Sequence, residues 1–249
     1  MSIVKLKLPE GIHCESHVFR SDEYAEIVHL FPESIRELAR NLAQELSTAS
    51  PQRKASFLAG RLSAIHALQR FLCPEEQLKS VMGRTAQGLP IWPVEFIGSI
   101  THNMLEKNGL AIAIIAQKNQ YASVAIDCET IFSIDHANDI VKLIASENEL
   151  RLGERMAIER EKWLTMIYSL KETLFKLLFF KVNRFMPFEA VEVLSVDEAL
   201  ELACLMLTVD WGDLSAGQRF WLNVEKIGLK SLGEQIVCFG TLERTNIED

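Results

Sequence analysis

The sequence predicts an α+β protein of two similar lobes, each a small sheet packed on a long helix. Three observations carry this reading. The first half orders as helix, helix, strand, strand, strand, and the second half offers a long helix followed by about three strands. At 249 residues the chain is long enough for one large domain or two lobes with sizeable cores. The lobes are expected at residues 1–120 and 121–249, although no Pro/Gly/Ser-rich linker divides the chain and no repeat of fixed period is visible.

Taken in order, the tract to about His29 reads as short strand and loop, because Ile3-Val4-Lys5-Leu6-Lys7-Leu8 is short and β-like. Pro32 with Glu33 beside it is a helix start signal, and Ile35, Leu38, Ala39, Leu42 and Leu46 carry that helix to about Leu46. The stretch 47–51 is a break and a cap. A second helix then reaches about Leu72, burying Leu58, Leu62, Ile65 and Leu68 or Leu72, with Arg53, Arg61 and Gln69 elsewhere on it. Residues 73–93 are irregular, and 83–90 is turn chemistry throughout. Strands follow over 96–102, 110–115 and 123–129, the last after a polar turn from Gln117 to Gln120. Helical segments at 134–145 and 147–161 lead into a strongly apolar helix over 163–180, which ends before Asn183 and Pro187. Strands are expected at 189–196, 219–225 and 234–242, the last two joined by a turn over 228–233.

Composition excludes several classes of function. Hydrophobic residues are 48% and charged residues 24% of the chain, which argues against disorder. The longest uncharged apolar run, Gly109 to Ala116, is too short to span a bilayer. Residues 1–9 alternate apolar residues with Lys5 and Lys7 instead of forming a signal-peptide core, so a cytoplasmic protein with no membrane partner is expected. Five scattered cysteines, Cys14, Cys73, Cys128, Cys204 and Cys238, make no C-x-x-C pair and suggest reduced, mostly buried thiols. A net charge of -8 argues against nucleic acid. Between Arg151 and Ala190, eight basic residues stand against five acidic ones, either a solvated face or a place for an anionic ligand or acidic partner.

Two groups of side chains could carry chemistry. On the helix over 163–180, Thr165, Ser169, Glu172 and Lys176 fall on one stripe, with Glu172 and Lys176 facing neighbours. A solvated stripe with an ordinary i, i+4 pair would look the same. On the strand over 123–129, alternation puts Asp127 and Glu129 on one face and Val124, Ile126 and Cys128 on the other. Adjacent carboxylates are relieved by a hard cation, or by solvent if the strand ends at Asp127. Glu172 would complete a Mg²⁺ site and Lys176 would face phosphate in the same cleft, a combination suited to phosphoryl transfer. Thr101 and His102 at a strand end, and Arg53, Arg61 and Arg84, could each meet an anion or be structural. His13, His17, His29, His66 and His136 show no ligand spacing.

These pieces, in this order, resemble the 4'-phosphopantetheinyl transferases of the large monomeric type, in the branch typified by the D component of enterobactin synthetase. The resemblance lies in four blocks between about Arg53 and Lys181. They are Arg53 with Phe57-Leu58-Ala59-Gly60-Arg61; Gly88-Leu89-Pro90-Ile91-Trp92-Pro93 with Gly98-Ser99-Ile100-Thr101-His102; Ala125-Ile126-Asp127-Cys128-Glu129; and Tyr168-Ser169-Leu170-Lys171-Glu172-Thr173-Leu174-Phe175-Lys176. Ala125 stands where the family has glycine, Cys128 replaces an aliphatic residue and Thr173 a small one, and none of these removes a charge.

The resemblance implies a pseudo-dimer of two α+β lobes in a monomeric chain, with the active site in the cleft between them. It implies transfer of the phosphopantetheine arm of coenzyme A to a serine hydroxyl of an apo acyl or peptidyl carrier protein, with Mg²⁺ and release of adenosine 3',5'-bisphosphate, in siderophore, peptide or polyketide synthesis. Asp127, Glu129 and Glu172 would be metal ligands, Glu172 or Asp127 the base for the incoming serine, and Lys176 the helper at the pyrophosphate. Lys171, Thr101, His102, Arg53, Arg61 and Arg84 would hold the coenzyme A phosphates or adenosine, and the acidic carrier would give the local basic excess a purpose. Two other readings use the same residues: a non-catalytic module that binds coenzyme A or a carrier, and a different Mg²⁺-dependent phosphotransferase or phosphohydrolase.

Overall fold

The computed structural model describes residues 4–244. In chain order it runs β1 (His13–Arg20), α1 (Tyr24–Leu30), α2 (Glu33–Glu45), α3 (Pro51–Gln69), α4 (Glu75–Leu78), β2 (Phe96–Leu105), β3 (Asn108–Gln117), β4 (Tyr121–Thr130), α5 (Ile134–Ile144), α6 (Glu147–Arg155), α7 (Arg160–Val182), β5 (Val191–Val196), β6 (Leu202–Leu207), β7 (Arg219–Leu229) and β8 (Gly233–Glu243). This is an α+β fold with two antiparallel sheets, ordered β1-β3-β2 and β4-β8-β7-β6-β5. The chain divides into two compact units. Unit 1 takes the described residues up to Val124 with Glu243 and Arg244, and unit 2 is Ala125–Leu242.

In unit 1 the central strand β3 pairs antiparallel on both edges, His13 facing Ile115 on one side and Phe96 facing Gln117 on the other. Its residues Leu110 to Ala116 are fully buried, as a continuous apolar run in a covered central strand should be. Helix α3 starts at a Ser50 cap, whose Oγ accepts from Arg53 N, with Pro51 in the first turn. It buries Leu58, Leu62, Ile65 and Leu68 on Ala111, Ala113 and Ile115 of the sheet. Gly60 permits the close approach, because a Cβ there would stand 2.8 Å from Ile100 Cγ2.

The structure departs from the sequence reading here in three ways. The tract before residue 29 holds a helix, α1, where only strand and loop were expected, and residues 4–8 have no regular structure; Ile3 lies outside the described residues. Helix α3 ends at Gln69 and not near Leu72, so of the two alternatives Leu68 is the buried one, while the left-handed Leu72 is 90% exposed. Arg61 is 4% exposed, because α3 is covered on nearly every side.

Unit 1 also carries a half-buried histidine pair between β1 and α3. His17 Nδ1 lies 3.0 Å from Ser63 Oγ, and His17 Nε2 lies 3.1 Å from His66 Nδ1. Burial first, and then the His66 charge, lower His17 to about 4, against a weaker pull upward from Glu15, itself held by Arg70 at 2.7 Å. A histidine buried neutral binds its proton more weakly folded than unfolded, so its contribution is complete above its ordinary 6.5 and is lost as pH falls toward 4. The expected cost by pH 4 is about 3 kcal/mol. Denaturant unfolding should show the wild type losing stability relative to His17→Gln as pH falls from 7 to 5; an equal change in both proteins would rule out the His17 contribution.

Unit 2 is organised on α7. That helix is apolar almost all round, which marks a buried helix, and Leu164, Met166, Ile167, Leu170, Leu174 and Leu178 are fully enclosed. They pack with Leu205, Leu207, Leu222 and Ile236 from the sheet. Gly240 in β8 serves as Gly60 does, since a Cβ there would meet Leu222 Cδ2 at 2.3 Å and Leu177 Cδ2 at 3.2 Å.

Two elements of unit 2 differ from expectation. Strand β6 was not foreseen, and it fills the sheet between β5 and β7. The helix read over 147–161 stops at Arg155, and a new one begins at Arg160. A Schellman motif ends α6: Ile158 N donates to Gly153 O at 3.1 Å and Ala157 N to Glu154 O at 3.1 Å, with Ala157 left-handed at φ 52°. Among the described residues no helix is long and apolar enough to cross a membrane. None of the five cysteines forms a disulfide, and all but Cys14 are buried.

Candidate active site

The polar stripe of α7 is not solvated. Thr165 is fully buried, accepts from Phe132 N at 2.9 Å and donates to Glu161 O at 2.7 Å. Ser169 is equally buried, while Glu172 and Lys176 are half-buried. Thr173, one residue round from Glu172, donates to Cys238 O at 3.2 Å and ties α7 to β8. Lys176 Nζ donates to Asp127 Oδ1 at 2.6 Å and to Ile126 O at 3.3 Å. The stripe therefore faces the carboxylate-bearing end of β4, where Asp127 is 4% exposed and Glu129 half-buried.

Electrostatics makes these groups one set. Burial, and next the Asp127 charge, push Glu129 up to about 8, with Lys176 opposing and Glu172 adding. Burial also raises Glu172, with Lys176 pulling down and Asp127 pushing up. Burial alone would lower Lys176, but the charge and hydrogen bond of Asp127, helped by Glu172 and Glu129, hold its ammonium above the usual lysine range. Three carboxylates thus share one lysine. An all-oxygen donor set with surplus negative charge is what a hard dication takes, so the residues fit Mg²⁺ in chemistry and charge. Among the described residues, however, no three His, Cys, Asp or Glu side chains stand close enough together to hold a metal ion. The cation that Asp127 meets is Lys176.

Lys171 departs from its expected place among the coenzyme A contacts. Its ammonium is 3% exposed and donates to Ile144 O at 2.9 Å, to Glu149 Oε2 at 3.0 Å and to Phe188 O at 3.1 Å. One residue before Glu172, it lies about 100° round the helix and points into the unit. Glu149, fully buried, completes a capping box with Ser146 and accepts from Val193 N at 2.8 Å. Sequence reasoning missed Glu149, although Ser146-x-x-Glu149 is a visible capping signature. Beside Glu129 a groove of about 320 Å³ opens between α5 and α7, floored by Phe132, Tyr168 and Phe188. Their rings form a row, with Phe132–Tyr168 centroids 5.6 Å apart and Tyr168–Phe188 5.4 Å.

The remaining predicted residues all lie in unit 1. Phe57 on α3 is flanked by two guanidinium groups, Arg61 at 4.7 Å and Arg84, reaching in from the turn after α4, at 5.2 Å. Arg61 also donates to Gly83 O at 3.2 Å. Burial and the like charge of Arg84 lower Arg61 to about 10, so the pair would be relieved by an anion. Arg53 is exposed one turn before Phe57 on the same helix face. Thr101 is buried and His102 half-buried in β2, opposite Ile112 and Ala111 of β3.

Comparison with known proteins gives this arrangement a context. Residues 42–116 match the 4'-phosphopantetheinyl transferase N-terminal domain, and residues 123–209 match the 4'-phosphopantetheinyl transferase superfamily. Carrying both domains in order, the chain belongs to the 4'-phosphopantetheinyl transferase superfamily. Within it, the likeness is to the enterobactin synthase component D branch: it is 30% identical over 131 residues to that protein of Salmonella typhi, covering 53% of this chain and 50% of the relative. Against component D of Escherichia coli K12 it is 30% identical over 132 residues, 53% of this chain and 58% of the relative. The 4'-phosphopantetheinyl transferase Svp of Streptomyces mobaraensis is 29% identical over 160 residues, 64% of this chain and 58% of the relative. The chain spans about half the length of the curated relatives it matches.

Proposed function

We propose that this protein moves the 4'-phosphopantetheine arm of coenzyme A onto a serine hydroxyl of an apo carrier protein, releasing adenosine 3',5'-bisphosphate. The observation that carries the reading is the meeting of Asp127 and Glu129 on β4 with Glu172 and Lys176 on α7, inside a chain of this superfamily. Asp127, Glu129 and Glu172 would hold Mg²⁺, which supplies charge neutralisation at the pyrophosphate. Glu172, raised by burial, is suited to take the serine proton, with Asp127 the alternative base. The serine oxygen then bonds to the pantetheine-side phosphorus as the bond to the nucleotide phosphate breaks. Lys176 would present its positive charge to the pyrophosphate oxygens. The groove over Phe132 and Tyr168 offers an apolar bed for the pantetheine arm.

Arg61 and Arg84 around Phe57 would meet the phosphates or adenosine of coenzyme A, with Arg53, Thr101 and His102 as further contacts. Arg84 is exposed and its removal leaves the core intact. Arg84→Ala should therefore raise KM for coenzyme A about 10–100-fold with kcat little changed, the loss of one charged hydrogen-bonding group in uniform binding. A fall in kcat at unchanged KM would contradict that role. The carriers are those of siderophore, peptide or polyketide synthesis, met by a cytoplasmic monomer. Incubation with apo carriers of fatty-acid and peptide-synthetase type, coenzyme A and Mg²⁺ tests the reading, with the carrier weighed by mass spectrometry. A gain of one phosphopantetheine on at least one carrier, abolished by chelator, is the expected result; no gain on any carrier would overturn it.

A further inference from the structure

Two lysines on α7 make ion pairs of opposite kind. Lys171 is enclosed and held by two backbone carbonyls as well as Glu149. Lys176 keeps 28% of its side chain exposed and holds one carboxylate oxygen, Asp127 Oδ1, at 2.6 Å, with a single longer bond to a carbonyl. The first is a fixture and the second can exchange. Asp127, Glu129 and Glu172 are electrostatic neighbours of Lys176, yet no three acidic or metal-ligating side chains converge among the described residues. An ammonium on Asp127 repels any dication approaching that carboxylate, because two like charges a few ångström apart in a half-buried site are weakly screened.

We propose that Lys176 is an internal competitor for the metal: it holds Asp127 when no dication is bound, and must let go of it for the dication to enter. The proposal rests on the assignment of Asp127, Glu129 and Glu172 as the metal's ligands. Its consequence is a coupled exchange. Metal entry transfers Asp127 from Lys176 to the dication and frees a charged ammonium, tethered to α7 one turn from Glu172, for the surface of the site. The exposed part of the Lys176 chain provides the way out, and the competition sets an upper limit on metal affinity before substrate arrives.

Binding of Mn²⁺, the probe for Mg²⁺, is to be followed by electron paramagnetic resonance of the free ion, with coenzyme A and carrier absent. Lys176→Gln should tighten Mn²⁺ binding by about tenfold or more over wild type, whereas Lys176→Arg, which keeps the charge, should stay within about threefold. Equal affinity in wild type and Lys176→Gln would overturn the competition while leaving the metal assignment standing. Absence of binding in all three would overturn both, and carrier modification measured separately reports on the transfer reaction alone. Melting curves establish whether each variant folds. Should Lys176→Gln not fold, the side-chain ammonium resonance of Lys176 in the wild type, assigned by its disappearance in Lys176→Arg, decides: it should move toward the position of a solvated lysine on adding Mg²⁺, and a resonance that stays in place contradicts the proposal.

Discussion

Lys171→Met is expected to cost about 3–5 kcal/mol of stability, the loss that follows when one partner of a buried ion pair is removed. The reason is what stays behind. Glu149 has no exposed surface, and without Lys171 its charge is left with the Ser146 and Val193 amides alone. The pair also joins three elements, since Lys171 sits on α7, Glu149 in the first turn of α6, and Val193 in β5. Lys79→Met breaks an exposed pair with Glu76 and provides the contrast, with an expected cost of about 0–1 kcal/mol. Denaturant midpoints of both variants measure the difference. A Lys171 variant as stable as wild type, with KM for coenzyme A raised instead, would return Lys171 to the phosphate-binding role that the family resemblance implied.

The second large effect is on rate. Glu172→Gln keeps size and packing while removing the carboxylate charge, and should lower kcat of carrier modification about 10²–10⁴-fold, the range of a general acid or base. Stability should hold or rise slightly, because burial penalises the Glu172 carboxylate more than the nearby Lys176 ammonium favours it, with Asp127 adding repulsion. This opposition separates Glu172 from Lys171, its immediate neighbour in the chain. A variant with full kcat would exclude Glu172 as base and metal ligand together.

The apolar skeleton of the site was legible because its elements obey simple periods. The continuous run in β3, the alternation in β4 and the apolar surface of α7 all lie close to where spacing puts them. Alternation also set Asp127 and Glu129 on one face, and helical phase set Glu172 with Lys176. What stayed hidden depends on partners distant in sequence. Leu202-Ala203-Cys204-Leu205-Met206-Leu207 has no β-branched residue and no alternation, and becomes β6 because β5 and β7 offer edges on both sides. The seven-residue helix α1 has no side-chain cap to announce it. Ala157 ends α6 in a conformation that glycine usually marks, so residues 147–161 read as continuous. Arg61 and Lys171 looked alike as spare cations on helices, and only packing shows Arg61 stacked on Phe57 beside Arg84 and Lys171 locked to Glu149.

The carboxylates of β4 and α7 are expected to serve group transfer and not hydrolysis. Parallel measurement of carrier mass and of released nucleotide in one reaction tests it most directly. Transfer requires one adenosine 3',5'-bisphosphate for each phosphopantetheine gained by the carrier, and no nucleotide release when the carrier serine is replaced by alanine. Inorganic phosphate, or nucleotide released at the same rate without an acceptor serine, would contradict it.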